Sequence, residues 1–397
     1  MQHLSKRSQE MEVPMTLEMS KKSRELAALG HNVINLSLGE PDFDTPDFIK
    51  ESAKKAIDDN YSHYTPVAGY ADLREAISQK FKRDNNLDYK PNQIVVSTGA
   101  KQSLANVVLA LVNEGDEVII PAPYWVSYIE QVKLAGGVPV VLQTDISTEF
   151  KITAEQLQQA ITPKSKLMIF SSPCNPSGAV YTHAELAELV EIIATKRDFF
   201  VMSDEIYELI NYTGAHVSLA SFANIYEQVI TVNGLSKGFA MTGWRLGYIG
   251  APTWLAKACD DMQSQFTSAT CSITQRAAIT AMQANPSAVQ FMVDEFEKRR
   301  AILLGLMQEI PGFKLYNPDG AFYLFIDVKD VLGKKYGNET IATDLDLSMY
   351  LLNVAHVSSV PGSAFGSDGY VRFSFAASED NLREAAARVK NAIENLK

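Results

Sequence analysis

From about residue 93 the chain alternates short apolar, β-rich runs with longer stretches of helical character. QIVVS (93–97) precedes the helical KQSLANVVLALV. DEVII (116–120) leads into a Trp/Tyr-rich helix and then into VPVVL (138–142). KLMIFS (166–171) is followed by a helix near 182–195, and DFFVMSDE (198–205) and QVITVNG (228–234) read as further strands. This alternation predicts an α/β fold with a mostly parallel central sheet flanked by helices. In such sheets ligands bind at the carboxyl ends of the strands.

After residue 250 the pattern changes. Long helical stretches run from about 252 to 309, with Pro286 restarting a helix. Short strands follow in GAFYLFIDV (320–328) and YVRFSFA (370–376), and a final helix lies near 378–395. The expected organisation is an N-terminal segment (1–45) packing with the small domain, a large cofactor-binding domain (46–290) and a smaller α+β domain (291–397), with the helix around 286–309 as a bridge.

Length and composition agree with this. A chain of 397 residues is long enough for two domains. With 46% hydrophobic residues and 21% charged, it can bury a sizeable core. The net charge of −11 argues against nucleic acid or an anionic membrane as a main partner. Cys174, Cys259 and Cys271 show neither paired metal spacing nor a disulfide framework, so no metal is expected. The absence of an apolar signal core and of a spanning segment points to a cytoplasmic protein.

Candidate chemistry sits where strands end. STGAKQ (97–102) puts Gly99 and Ala100 between a strand and a helix, an arrangement that can hold phosphate but is more often only a turn. Asn175, between prolines in SSPCNPSG, is either a rigid turn or a hydrogen-bond donor to a ligand. Asp204 closes an apolar strand, where a carboxylate either caps a helix or needs a cation. Tyr207 follows it. In GLSKGFAMTGWR (234–245), Lys237 taken alone is more often an exposed lysine than a reactive one, and Arg245 enters an apolar run as if paired with an anion. One ligand uses this whole set, pyridoxal 5′-phosphate (PLP). Its aldehyde needs a lysine, its ring nitrogen a carboxylate, its phenolic oxygen donors, and its phosphate backbone amides and a cation.

GLSKGFAMTGWRLG resembles the lysine-attachment motif of the class-I aminotransferases, PLP enzymes of the aspartate aminotransferase fold, and the resemblance covers essentially the whole chain. LSLGEPDFDTP (36–46), YTPVAGYADLREAI (64–77), PYWVSY (123–128), SDEIYE and VPGSAFG carry it in the family's order, closest to the bacterial aspartate aminotransferase branch. The resemblance implies that Lys237 bonds the cofactor aldehyde, Asp204 meets the ring nitrogen, and Asn175 and Tyr207 meet the phenolic oxygen. It implies that Trp125 stacks on the ring and that Ala100, Lys101, Ser236 and Arg245 surround the phosphate. Arg372 and the Gly39 backbone would take the substrate α-carboxylate. Tyr64 would reach the phosphate of the other subunit, which implies a homodimer with shared sites. Lys101 and Thr16 would meet a distal carboxylate.

The expected activity is therefore ping-pong transfer of an amino group from L-aspartate to 2-oxoglutarate. The alternative is a sister enzyme for aromatic, alanine-like or prephenate substrates, to be decided by residues 12–18, Lys101 and 263–270. A PLP lyase would share the cofactor residues. A PLP-binding regulator would need an added DNA-binding domain, for which the chain has no spare length. A NAD-dependent dehydrogenase would need a G-x-G-x-x-G turn at its opening β–α unit, and none occurs there.

Overall fold

The computed structural model describes residues 3–11, 15–214 and 216–397. Its largest sheet has seven strands: β1 (Ile94–Ser97), β2 (Glu117–Pro121), β3 (Val138–Leu142), β4 (Ser165–Ser171), β5 (Phe200–Asp204), β6 (Val229–Gly234) and β7 (Gly247–Gly250). Their spatial order is β1-β7-β6-β5-β4-β2-β3, and every pairing is parallel except those made by β7.

The strands are apolar at consecutive positions because both faces are covered, and their period of two divides each between two cores. Val118 and Ile120 enter one core while Ile119 enters the other. Leu167 and Ile169 are separated in the same way from Met168 and Phe170. Helices Ala100–Leu111 and Thr253–Phe266 cover the first face through Leu104, Val107, Leu255 and Cys259.

A second sheet of four antiparallel strands contains Tyr323–Asp327 at its centre, paired with Tyr370–Ser374. Near the N-terminus, Ile34–Asn35 forms a short parallel pairing with Val357–Ser358. The helical stretch expected from 252 to 309 divides into Thr253–Phe266, Ser272–Gln283 and Gln290–Gln308. Pro286 begins a 3-10 turn capped by Asn285 before the last helix, since proline suits a first turn where its missing N–H is not needed.

The run containing Arg245 also differs from expectation. Arg245 has a φ of +55° after a short 3-10 turn, and the strand begins two residues later. Because β7 is antiparallel to its neighbours, its start lies on the edge where the parallel strands end. A residue preceding this strand thus joins residues that follow the others. Among the described residues no helix is long and apolar enough to cross a membrane.

Candidate functional site

A cavity of about 280 Å³ opens on that edge. Across the sheet, the residues lining it follow the strand order: Ala100 after β1, Arg245 before β7, Ser236 and Lys237 after β6, Asp204 at the end of β5 and Asn175 after β4. Trp125, following β2, lies beyond them. Thr16, Gly39, Lys101, Tyr207 and Arg372 complete the set brought together from the sequence. Tyr64 is not among them. It is fully exposed and lines a separate depression with Thr65 and Thr267–Thr270. Of the segment 12–18, residues 12–14 lie outside the described residues.

Asp204 is 4% exposed. Burial, the largest influence, pushes its carboxyl up to about 6, against the hydrogen bond from Tyr128 and the backbone N–H of Ile206. Its neighbour Glu205 has a different fate. Period-two alternation places Glu205 on the face of Ser203, where it accepts from the hydroxyls of Ser203 (2.9 Å) and Ser218 (2.8 Å) and pairs with His216 (2.9 Å). Glu208 nearby is ion-paired with Lys80. The two consecutive acids therefore divide into one aimed at the cavity and one held in a buried polar network.

The Lys237 amine lies 5.9 Å from the centroid of the Tyr207 ring and donates to the Gly39 carbonyl. Desolvation lowers its pKa to about 8, with Arg372 and Arg245 acting in the same direction and Glu40 opposing. Amine-selective acylation of apoprotein at position 237 is accordingly expected to follow a midpoint near 8, below the ordinary lysine value of 10.5. Peptide mapping across pH 6–11 measures it, and a midpoint near 10.5 would remove the assignment of a desolvated amine.

Arg372 is 2% exposed. Its Nη1 donates to Asn175 Oδ1 (2.9 Å) and its Nη2 to the Ser37 carbonyl (2.7 Å). The Asn175 oxygen is thereby used, which leaves its amide nitrogen as a donor. The Tyr207 and Tyr323 hydroxyls share a hydrogen bond of 2.7 Å, and the Arg372 guanidinium lies 4.3 Å from the Tyr323 ring centroid. Lys101 holds its amine 4.8 Å from the Trp125 ring centroid, and burial together with Arg245 lowers its pKa.

Helix Ala100–Leu111 begins at Gly99, which has a φ of +82°. A Cβ there would stand 2.3 Å from Arg245 Nη2, so only glycine admits the guanidinium against this turn. The first N–H groups of a helix have no intrahelical acceptor, so an anion-binding terminus and a cation meet at one end of the cavity.

These features fit PLP. A buried carboxylate that, among the described residues, has no directly bonded cation suits a ring N–H. A lysine with a lowered pKa suits an aldehyde, and the Gly99–Arg245 corner suits a phosphate. Sequence reasoning missed Tyr128, Tyr323 and Thr242, which also line the cavity. Tyr128 had a legible signal, since it falls one helical turn after Trp125 in PYWVSY. Tyr323 had only a hydroxyl ahead of the apolar run Leu324–Ile326.

Fold and site together define a PLP-dependent transferase of fold type I. Residues 31–389 match the family "Aminotransferase class I and II", and the chain belongs to it. A probable aspartate/prephenate aminotransferase of Rickettsia bellii is 46% identical over 384 residues, 96% of each chain. A bifunctional aspartate aminotransferase and glutamate/aspartate-prephenate aminotransferase of Petunia hybrida is 46% identical over 99% of this chain and 83% of its own. Among solved structures, the aspartate aminotransferase of Rhizobium meliloti superposes with a TM-score of 0.96 at 40% identity over the whole of both chains. That of Thermus thermophilus with maleate gives 0.92 at 39% identity over 99% of this chain and 100% of its own.

Proposed function

We propose that this protein transfers the amino group of L-aspartate to 2-oxoglutarate, giving oxaloacetate and L-glutamate in a ping-pong cycle. The observation that carries the reading is the meeting of Lys237, Asp204 and Arg372 in one cavity. The names of the relatives and the dicarboxylate in the Thermus thermophilus structure support the acidic substrate.

The chemistry supplied by bound PLP is an electron sink for the charge left when the substrate α-C–H bond breaks. Asp204 would hold the ring nitrogen and Tyr207 and the Asn175 amide the phenolic oxygen. Ala100, Ser236 and Arg245 would hold the phosphate, and Trp125 would cover the ring. Arg372 receives the substrate α-carboxylate beside Gly39, which fixes the bond presented for cleavage. Lys237 Nζ takes the α-proton, a task for which a pKa near 8 keeps a useful fraction neutral at physiological pH. Lys101, with Thr16 also lining the cavity, supplies the cation for the distal carboxylate.

The reading includes a cytoplasmic homodimer in which Tyr64, exposed on one chain, completes the partner's phosphate site. It also retains a division at 1–45, 46–290 and 291–397. The free state of all three cysteines is compatible with a reducing compartment. Prephenate is a second reading for the amino acceptor, favoured by the relatives' names. It too carries a 2-oxo acid and a further carboxylate, which Lys101 would meet.

A half-reaction tests the proposal. Adding L-aspartate without any oxo acid to the PLP-loaded protein is expected to bleach its visible band, and 2-oxoglutarate to restore it. Prephenate restoring it as fast would favour the second reading. A band that survives aspartate but bleaches with alanine, phenylalanine or tyrosine would overturn the role of Lys101.

A further inference from the structure

Asp204 receives a hydrogen bond on each oxygen. The Ile206 N–H donates to Oδ1 at 3.2 Å, and the phenol of Tyr128 donates to Oδ2 at 2.6 Å. Tyr128 belongs to helix Ser127–Leu134, outside the strand that carries Asp204, and is 2% exposed. Its ring stands edge-on to Trp125 at 5.6 Å. The turn leading into this helix, closed by the Tyr128 N–H donating to the Trp125 carbonyl at 3.0 Å, therefore places an aromatic ring on the cavity and a phenol against the cavity's acid.

We propose that Tyr128 is a positioning residue that keeps Asp204 ionised and directs its remaining acceptor sites toward the cofactor ring nitrogen. The proposal rests on the reading of Asp204 given above. A buried carboxylate needs donors or a cation, and among the described residues no cation bonds directly to this one. The charged groups that influence it are Glu205, which disfavours its charge, and Lys237, which favours it, while Asp204 in turn raises the Cys174 thiol and the Tyr207 phenol, both already pushed up by burial. Between the two donors, the Tyr128 hydrogen bond is shorter and has the larger effect. Burial and the adjacent Asp204 hold the Tyr128 phenol well above its ordinary pKa, so it remains a donor throughout the working range.

The consequence concerns where a proton rests. A proton shared by Asp204 and a ring nitrogen sits on the stronger base. Donation from Tyr128 weakens Asp204 as a base, which leaves the proton on the nitrogen. Without the phenol, Asp204 becomes more basic and draws the proton to itself.

The test compares wild type, Tyr128→Phe, Asp204→Asn and the double variant. Infrared difference titration of apoprotein follows the Asp204 carboxyl, assigned by its loss in Asp204→Asn. Tyr128→Phe is expected to raise its midpoint by about one pH unit and to weaken PLP binding by about tenfold. The same change in the Asp204→Asn background is expected to leave PLP affinity unaltered. Site-specific 3-fluorotyrosine at position 128, a stronger donor of nearly the same shape, is expected to lower the midpoint and covers the case in which Tyr128→Phe misfolds.

An unshifted midpoint in either variant would overturn the proposal, as would an equal loss of PLP affinity with Asp204 already replaced. If Asp204→Asn binds PLP with wild-type affinity and absorption, the reading of Asp204 fails and the proposal falls with it. The infrared shift shows separately whether the two residues are coupled.

Discussion

Replacing Lys237 with alanine exchanges the lysine–PLP band for that of the unlinked aldehyde and slows transamination by ~10⁴-fold or more, a barrier increase of ~5 kcal/mol. In the proposed reading the amine has two tasks, bonding the cofactor and moving the α-proton, and alanine performs neither. Folding is expected to survive. Among the described residues the Lys237 amine makes one hydrogen bond, to the Gly39 carbonyl, and its pKa falls to about 8 because the cavity strips water from it. Removing a desolvated cation relieves a cost, so the unfolding midpoint of the apoprotein holds or rises. Lys237→Arg separates charge from chemistry. Arginine keeps the positive charge but stays protonated, so it can neither bond an aldehyde nor accept a proton. The arginine variant is expected to be as slow as the alanine one. Rapid-mixing half-reactions with L-aspartate measure the rate and absorption spectra the band. An imine band unchanged in position in the alanine variant and still fixed covalently by borohydride, or an arginine variant within tenfold of wild type, would remove Lys237 from the chemistry.

Much of the fold was legible because its sheet is built from local signals. VPVVL forms a strand over the range read for it, and KLMIFS and QVITVNG shift by one residue at their starts. Both are apolar runs that a two-sided burial demands. Lys237 and Arg245 stood out for a related reason, since cations set among glycines and apolar residues are out of place unless something meets them. What the sequence concealed is convergence. Arg372 and Asn175 are 197 positions apart, and no local pattern announces their 2.9 Å contact. Asp204 and Glu205 are adjacent acids, and the sequence cannot say which face of β5 borders the cavity. Only the packing of Ser203, Ser218 and His216 around Glu205 decides it. Arg245 was read as opening a strand, whereas its left-handed backbone belongs to the turn before it. Its contact with Gly99 depends on β7 running against its neighbours, which strand propensity does not encode.

Replacing Arg372 with leucine is expected to move activity and stability in opposite directions. The guanidinium is buried, and its described partners are neutral: the Asn175 amide oxygen, the Ser37 carbonyl, and the rings of Tyr323 and Phe365. Its Nε has no partner, and burial lowers its pKa without a carboxylate to offset the effect. A buried cation in such surroundings destabilises the empty protein, and in the proposed reading its counter-charge comes from the substrate carboxylate. Leucine removes the unpaired charge, so the apoprotein's thermal midpoint is expected to stay level or increase. It also removes the two-pronged donor, so kcat/KM for L-aspartate falls by about 10²–10³-fold, the scale for losing one partner of a buried charge pair. Arg372→Lys is expected to fall between, since a point charge restores attraction but not the paired geometry. Calorimetry of apoprotein and steady-state kinetics of the loaded enzyme give the two readouts. A structural arginine would produce the reverse pattern, with stability falling by several kcal/mol and kcat/KM holding in the fraction that folds. That outcome would mean Ser37 and Asn175 are the purpose of Arg372, and that the substrate carboxylate is received elsewhere.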